Sequence, residues 1–269
     1  MLSKLIKHEL RATGRIMLPL FLLVIVSSAL ANISTRFLLE SDNDFFNLIG
    51  MLLLTLFVLA IMAMCIMAFV LMIQRFYKSL LQDEGYVMMT LPVSVHQHVW
   101  SKLLTSLLWY VGAAITGILA IVILVFDIDF VKQVIRFFSD LVEMLPKLDM
   151  DAVHVAIFAF EMLLFMLVGA AASCLLFYAA LSIGHSFPNH KILLSVAFYF
   201  GIQFGLQLVF GAVTMLVSGI EPLPMFASFD EASFYIHVVM LALTVGTAFV
   251  GAIFYFICTH FLRKKLNLE

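Results

Sequence analysis

The chain has 269 residues, of which 64% are hydrophobic and 12% are charged, and its mean hydropathy is +1.13. A soluble domain is about 45–50% apolar and about 25% charged, so this composition excludes a water-soluble globular protein and predicts a chain surrounded mostly by lipid. The net charge of −2 supplies no basic field for nucleic acid. Cys65, Cys174 and Cys258 lie in apolar runs without metal-ligand spacing, so we interpret them as small buried hydrophobes.

Six apolar stretches are long enough to cross a bilayer. A helix needs about 20 apolar residues to span the hydrocarbon core, and it satisfies every backbone polar group where lipid offers no partner. We therefore predict an all-α polytopic membrane protein, with a single transmembrane domain over residues 1–269. The predicted spans are residues 16–34, 48–73, 103–126, 155–183, 192–219 and 234–262.

Lysine and arginine are divided unequally between the two sides of these spans. Four of them, Arg36, Lys132, Arg136 and Lys147, would lie on one side, and the other eleven of the 15 would lie on the opposite side. Because cytoplasmic loops carry the excess of Lys and Arg, both termini are predicted to be cytoplasmic.

Amphipathic patterns occur in two segments outside the spans. In residues 2–10 the apolar side chains share one helical face, which predicts an interfacial helix before the first span. In residues 127–154 apolar side chains recur at helical offsets from Phe130 to Leu145, which predicts an amphipathic helix outside the membrane. The role of that helix, and whether the proline-containing loop 220–233 re-enters the membrane, are left open.

Residues 74–102, between the second and third spans, contain a predicted short helix. Gly85 interrupts the extended second helix, and Pro92 ends the short one because proline disfavours helical geometry in the residue before it. An apolar cluster lies between these positions: Tyr86, Val87, Met88 and Met89. Exposed apolar clusters usually mark a contact surface, although packing against the membrane interface is an open alternative.

The third span is preceded by a helix-capping pattern. Ser94 is followed three residues later by Gln97, as in a capping box, so the helix is expected to begin near Val95. From Val95 to Phe126 it would be about 48 Å long. That length exceeds the bilayer core, so the first turns should project into the cytoplasm.

Several short stretches between the second and third spans, and one at the N-terminus, resemble motifs of a known protein family. They are Gln74-Arg75-Phe76-Tyr77, Asp83-Glu84-Gly85-Tyr86, Thr90-Leu91-Pro92-Val93-Ser94 and Ser101-Lys102-Leu103-Leu104, together with Lys7-His8-Glu9-Leu10-Arg11 at the N-terminus. With the six-span layout, they resemble the type-2 ABC exporter permeases of Gram-positive bacteria. The long charged loop after the third span departs from that pattern.

The resemblance implies the permease subunit of an exporter in the bacterial plasma (cell) membrane, whose coupling helix docks on a separate ABC ATPase subunit. It also implies a second permease subunit, identical or a sister chain. The residues it assigns to ATPase coupling are Asp83, Glu84, Gly85, Tyr86, Val87, Met88, Met89, Leu91 and Pro92. The chain has no GxxxxGK[ST] phosphate loop. We therefore expect no enzyme activity and no cofactor in this chain, with ATP and Mg²⁺ bound by the partner ATPase.

Three polar residues within the spans are candidates for a substrate path. Glu161 is costly inside a membrane and hence a functional candidate, although its carboxylate could instead extend to the outer interface. Gln203 and Gln207 are four residues apart and share a helical face, although interhelical hydrogen bonds are the commoner use of such residues. The histidines form no zinc motif, and no metal site is predicted.

The substrate class and two alternatives stay open at this point. An apolar conduit suits an amphipathic antimicrobial peptide, a hydrophobic drug or a lipid. The first alternative is an ATP-independent secondary transporter or channel, which would be expected to show more intramembrane charges or broken helices in matched halves. The second is a non-transporting sensor or assembly factor. The spacing Gly201-x-x-x-Gly205 also predicts close helix packing, within one chain or between two.

Overall fold

The computed structural model describes residues 2–39, 41, 43–82, 85, 93–127, 132, 133, 135, 136, 139, 140, 152–218 and 229–264. Within these ranges the regular structure is entirely helical, without a strand. The long helices are α1 (Leu2–Ile33), α2 (Asp44–Leu80), α3 (Val95–Val125), α4 (Ala152–Gly184), α5 (Lys191–Ser218) and α6 (Phe229–Lys264). A π-helical turn, Ser34–Leu38, follows α1. The predicted all-α fold class is confirmed.

Six helices in the described part of the chain are long and apolar enough to cross a membrane. Each predicted span falls on one of them, so the predicted number of spans is confirmed. The helices carry many exposed apolar side chains, such as Leu22 at 66%, Phe160 at 65% and Phe204 at 62% exposure. Soluble monomers rarely expose such surface, whereas a lipid environment accommodates it.

The helices belong to two compact units. The first contains residues 1–75 and 100–141, and thus α1 with most of α2 and α3. The second contains residues 76–99 and 142–269, and thus α4, α5 and α6 with the two ends of α2 and α3 that flank the connecting segment.

The core of the first unit includes several alanines. Ala31, Ala60 and Ala120 are buried in one cluster with Met64, and alanines at helix contacts let backbones approach closely. Polar contacts join the helix ends. The Ser34 hydroxyl donates a 2.8 Å hydrogen bond to the carbonyl of Gly50, and the Asn32 amide donates one of 2.8 Å to the carbonyl of Leu124.

In the second unit α4 packs against both α5 and α6. Helices α4 and α6 run parallel, because Ala172 lies opposite Gly251 and, further along both helices, the Ser182 hydroxyl lies 3.4 Å from the Cys258 sulfur. A Cβ on Gly251 would lie 3.3 Å from that of Ala172, so the glycine permits the close approach.

The two glycines of the Gly201-x-x-x-Gly205 pattern make no comparable contact. Around both of them, the described residues place no atom of a neighbouring element within 4 Å of where a Cβ would stand. Packing through this motif inside the chain is therefore not confirmed. A role between two chains stays a prediction.

A separate interfacial helix at residues 2–10 is also not confirmed, because residues 2–33 form one uninterrupted helix. In this helix Glu9 is 3% exposed and its carboxylate binds side chains of α2 and α3, so the segment packs within the first unit. The predicted start of the helix that contains the third span is confirmed, since α3 begins at Val95. The amide of Gln97 there donates to the hydroxyl of Ser94 at 3.4 Å.

Three predicted features lie partly or wholly outside the described residues. The short helix from residue 86 to residue 90 is wholly outside them, as are residues 220–228 of the external loop. In the segment 127–154, the apolar positions that define the predicted amphipathic helix are outside, whereas Lys132, Arg136 and Asp140 are helical and exposed.

Candidate functional site

A buried ion cluster in the first unit joins α1, α2 and α3. Oε2 of Glu9 accepts a 2.9 Å hydrogen bond from Nε of Arg75, and Oε1 of the same carboxylate binds the ammonium of Lys102. Glu9 and Lys102 are each 3% exposed. A buried charge is tolerated where it is paired and hydrogen-bonded, and here one carboxylate faces two cations.

A chain of hydrogen bonds extends the cluster along α1 and α3. The indole nitrogen of Trp109 donates to the hydroxyl of Thr13 at 2.7 Å, and that hydroxyl donates to the carbonyl of Glu9 at 2.8 Å. A small cavity lies beside them and is bordered by Thr105 and Ser106. The polar groups therefore form one local network between otherwise apolar helices.

The cluster draws on three of the stretches that carry the family pattern. Glu9 belongs to residues 7–11, Arg75 to residues 74–77 and Lys102 to residues 101–104. The sequence alone does not predict that these three side chains meet. One sequence feature could have indicated this contact. Glu9 precedes the first predicted span, Arg75 follows the second and Lys102 precedes the third, so all three are expected on the same side of the membrane.

The flanks of the connecting segment are also anchored within the second unit. The rings of Phe76 and Tyr178 stack with centroids 4.1 Å apart and planes 7° apart, joining the end of α2 to α4. Nδ1 of His96 lies 2.6 Å from the hydroxyl of Tyr255, joining the start of α3 to α6. Both flanks thus have specific side-chain partners.

His185 follows the last residue of α4 and is 2% exposed. Its Nδ1 donates a 3.0 Å hydrogen bond to the carbonyl of Leu181, and the ring of Tyr77 meets its ring edge-on at 5.2 Å. Burial lowers the pKa of His185; the hydrogen bond to Leu181 raises it, and the charge of Lys191 lowers it further. The imidazole is therefore neutral at neutral pH.

Of the nine predicted coupling residues, the described part of the chain contains Gly85. It is buried, and its amide donates a 2.7 Å hydrogen bond to the carbonyl of Gln82 just after α2. The others lie outside the described residues: Asp83, Glu84, Tyr86, Val87, Met88, Met89, Leu91 and Pro92. Their role stays a prediction.

Gln203 is the predicted path residue that lines a cleft. This cleft, of about 520 Å³, is bordered by α4, α5 and α6, and its walls are mostly apolar. Gly169 and Gly246 form part of the wall and face open space in it. Gln207 is exposed and does not border the cleft, so the structure does not bring the two glutamines to one site.

Glu161 does not border the cleft either, and its carboxylate binds a histidine of α6. Its Oε2 lies 2.7 Å from Nδ1 of His237, and Nε2 of His237 lies 3.4 Å from Nδ1 of His154. The sequence shows no zinc motif among the histidines and does not by itself pair His154 or His237 with Glu161. Their position near the starts of two spans that cross the membrane in the same direction was the signal that could have paired them.

The described helices define the chain as a polytopic α-helical membrane protein. No family model, curated protein or solved structure matches the chain.

Proposed function

We propose that the chain is the permease subunit of an ATP-driven exporter in the bacterial plasma membrane. In this proposal both termini are cytoplasmic, a separate ABC ATPase subunit supplies the energy, and a second permease subunit completes the conduit. The observation that carries the proposal is the anchoring of both flanks of the connecting segment. These flanks are the end of α2 at Leu80 and the start of α3 at Val95.

Force transmission requires stiff flanks that reach beyond the bilayer. With 37 and 31 residues, α2 and α3 are about 55 and 46 Å long, against a hydrocarbon core of about 30 Å. In the first unit Arg75 and Lys102 share the buried carboxylate of Glu9. In the second unit Phe76 and His96 hold the same flanks to α4 and α6.

These contacts support a coupling role for residues 83–92. Because both flanks of this segment are held by side-chain contacts, a displacement of the segment would move α2 and α3 and not only the flanks. Lys and Arg dominate the ends of the spans on this side of the chain, which favours a cytoplasmic position. An ATPase in the cytoplasm would therefore have access to the segment.

The cleft supports a hydrophobic or amphipathic substrate such as an antimicrobial peptide, a drug or a lipid. Its volume of about 520 Å³ lies within the range of about 300–1,000 Å³ typical of small-molecule sites. Gln203 and Thr247 add polar groups to a wall that includes Phe210 and Phe254. Such a wall can contact the apolar part of a substrate and form hydrogen bonds with its polar group.

The test is ATP hydrolysis by the complex purified from its native membrane through a tag on this chain. We expect a co-purified ATPase subunit that contains a phosphate loop, and loss of hydrolysis in the double variant Glu84→Ala, Tyr86→Ala. The matched control is Asp44→Ala, Phe45→Ala, which removes an exposed acidic and aromatic pair at the other end of α2. A wild-type chain without an ATP-hydrolysing partner, or equal hydrolysis in both double variants, would contradict the proposal.

A secondary transporter is the second candidate, and the contact between Glu161 and His237 favours it. Ionisable pairs within spans are typical of proton relays in transporters. The two candidates differ in their energy source. Uptake of a hydrophobic probe by proteoliposomes that contain this chain alone, driven by a pH gradient without ATP, would support the secondary transporter.

A further inference from the structure

Two histidines and a glutamate form a hydrogen-bonded row near the starts of α4 and α6, inside the second unit. His154 is on the first turn of α4, Glu161 is about two turns further along, and His237 is on α6. The imidazole of His237 lies between the other two side chains, with Nδ1 at 2.7 Å from Glu161 and Nε2 at 3.4 Å from His154. Because α4 and α6 run parallel, the first turn of α4 lies beside His237, about two turns after the start of α6.

The separation of the two nitrogens suits a shared metal ion. Two ligands of a tetrahedral zinc ion, each about 2.0–2.1 Å from the metal, lie about 3.4 Å apart. Nε2 of His237 and Nδ1 of His154 are 3.4 Å apart. A divalent ion can bind both nitrogens when His154 carries its proton on Nε2 instead of Nδ1 and the two rings rotate so that their lone pairs converge on the ion.

The carboxylate of Glu161 orients the imidazole of His237 for metal binding. When Nδ1 of His237 carries the proton that is donated to Glu161, Nε2 keeps its lone pair, and this lone pair faces His154. Histidines that bind metals almost always donate their other ring N–H to a carboxylate, a carbonyl or water, which fixes the tautomer and raises the basicity of the ligand. Here Glu161 is the carboxylate, His237 is the histidine that donates to it, and the free nitrogen of His237 faces His154.

We propose that His154 and His237 bind Zn²⁺ or a similar first-row divalent cation, with Glu161 as the residue that positions His237. Imidazole nitrogens suit Zn²⁺, Cu²⁺ and Ni²⁺, whereas Mg²⁺ and Ca²⁺ take oxygen ligands. Within the described ranges no three His, Cys, Asp or Glu side chains are arranged as a metal site, so water supplies the remaining ligands. The side chains of His237 and Glu161 are 20% and 19% exposed, which gives the ion and its water a route in.

Zinc binding by this pair does not depend on the transport proposal. In the proposed topology the pair faces the exterior, so the ion would be taken from outside the cell. The two helices would be joined by a metal in addition to their packing. Zn²⁺ should therefore raise the unfolding temperature of the chain.

The experiment is equilibrium dialysis of the purified full-length chain in lipid nanodiscs against Zn²⁺, after removal of metal with a chelator. We expect one Zn²⁺ per chain and loss of that binding in His154→Gln and in His237→Gln. Glu161→Gln should weaken affinity about 10-fold to 100-fold, as for other outer-shell partners. The control is His260→Gln, an exposed histidine at the far end of α6.

A second measurement separates metal binding from a purely structural row of hydrogen bonds. Zn²⁺ should raise the unfolding temperature of the wild type and of His260→Gln, and leave that of His237→Gln unchanged. Absence of Zn²⁺ binding by the wild type would overturn the proposal. Equal binding, or an equal rise in unfolding temperature, in the wild type and the His237→Gln variant would also overturn it.

Discussion

The rings of Phe76 and Tyr178 lie almost parallel, and neither side chain has any exposed surface. Phe76 is four residues before the end of α2, so this stack fixes the flank of the connecting segment to α4. Aromatic pairs contribute about 0.5–1.5 kcal/mol beyond the burial of their surface. The stack is therefore both a stability element and a part of the proposed coupling path.

Removing one ring should destabilise the chain. Phe76→Ala leaves a cavity against Tyr178 and should lower the free energy of unfolding by about 3–5 kcal/mol. Denaturant unfolding of the detergent-solubilised chain measures the change. The control is Phe160→Ala, because Phe160 is 65% exposed and its loss should change stability little. Similar losses of stability in the two variants would show that the stack contributes no more than an exposed ring.

The ion cluster makes a prediction about charge rather than packing. Glu9→Gln removes the carboxylate that neutralises the ammonium of Lys102, and should lower the free energy of unfolding by about 3–5 kcal/mol. Adding Lys102→Met should restore part of this loss, because replacing a buried ion pair with neutral groups is often tolerated.

Unfolding curves of the two single variants and the double variant measure this coupling. Asp44→Asn is the matched control, since Asp44 is an exposed acidic residue in the first turn of α2. Strictly additive effects of the Glu9 and Lys102 substitutions would show that the two charges do not interact.

Gly184, the last residue of α4, should not accept a side chain. A Cβ there would stand 2.6 Å from Cα of Ser195, where the backbone of α5 cannot yield easily. Overpacking of this kind costs about 1–3 kcal/mol, so Gly184→Ala should lower the unfolding temperature. Gly169→Ala in the same helix meets open space and should be neutral or stabilising, because alanine favours a helix over glycine. The reverse order of the two variants would contradict the observed approach of α4 and α5.

His185 makes stability depend on pH. Its pKa is lowered in the folded chain and returns to about 6.5 in the unfolded chain. Between these two values the unfolded chain binds more protons, so stability falls as the pH drops through about 6.5 and continues to fall until the folded pKa is passed.

His185→Asn keeps a donor near the carbonyl of Leu181 but does not titrate. The variant should therefore lose less stability than the wild type when the pH is lowered from neutral to about 5. Unfolding temperatures at several pH values measure the slope, and His8→Gln, at an exposed position, is the control. Identical slopes in the wild type and His185→Asn would refute the assignment.

The cleft predicts a selective effect on ligand binding. Gly246→Leu places a side chain into open space within the cleft, so the chain should fold normally but bind a hydrophobic fluorescent probe several-fold more weakly. The control, Gly117→Leu, adds the same bulk at a glycine of α3 that also faces open space but does not border the cleft. Unchanged probe binding in Gly246→Leu would show that the cleft does not hold the probe.

The spans were predictable from local sequence, and so was the start of α3 at Val95. Both depend on neighbouring residues, namely the apolar run needed to cross lipid and the polar cap at Ser94. The pairing of Glu161 with His237 was not predictable in this way. Composition identifies Glu161 as costly in a span, but it does not identify the helix that supplies its partner.

The sequence by itself determined that this chain is helical and that its described part holds six helices able to cross a membrane, because lipid leaves each span only one way to satisfy its backbone. Tertiary structure decided which polar side chains meet. Glu9 reaches Arg75 and Lys102 across 66 and 93 residues of chain, and His154 reaches His237 across 83. Such contacts depend on which helices pack together and on their rotation about their axes, and helices apolar on nearly all sides carry little local pattern to specify either.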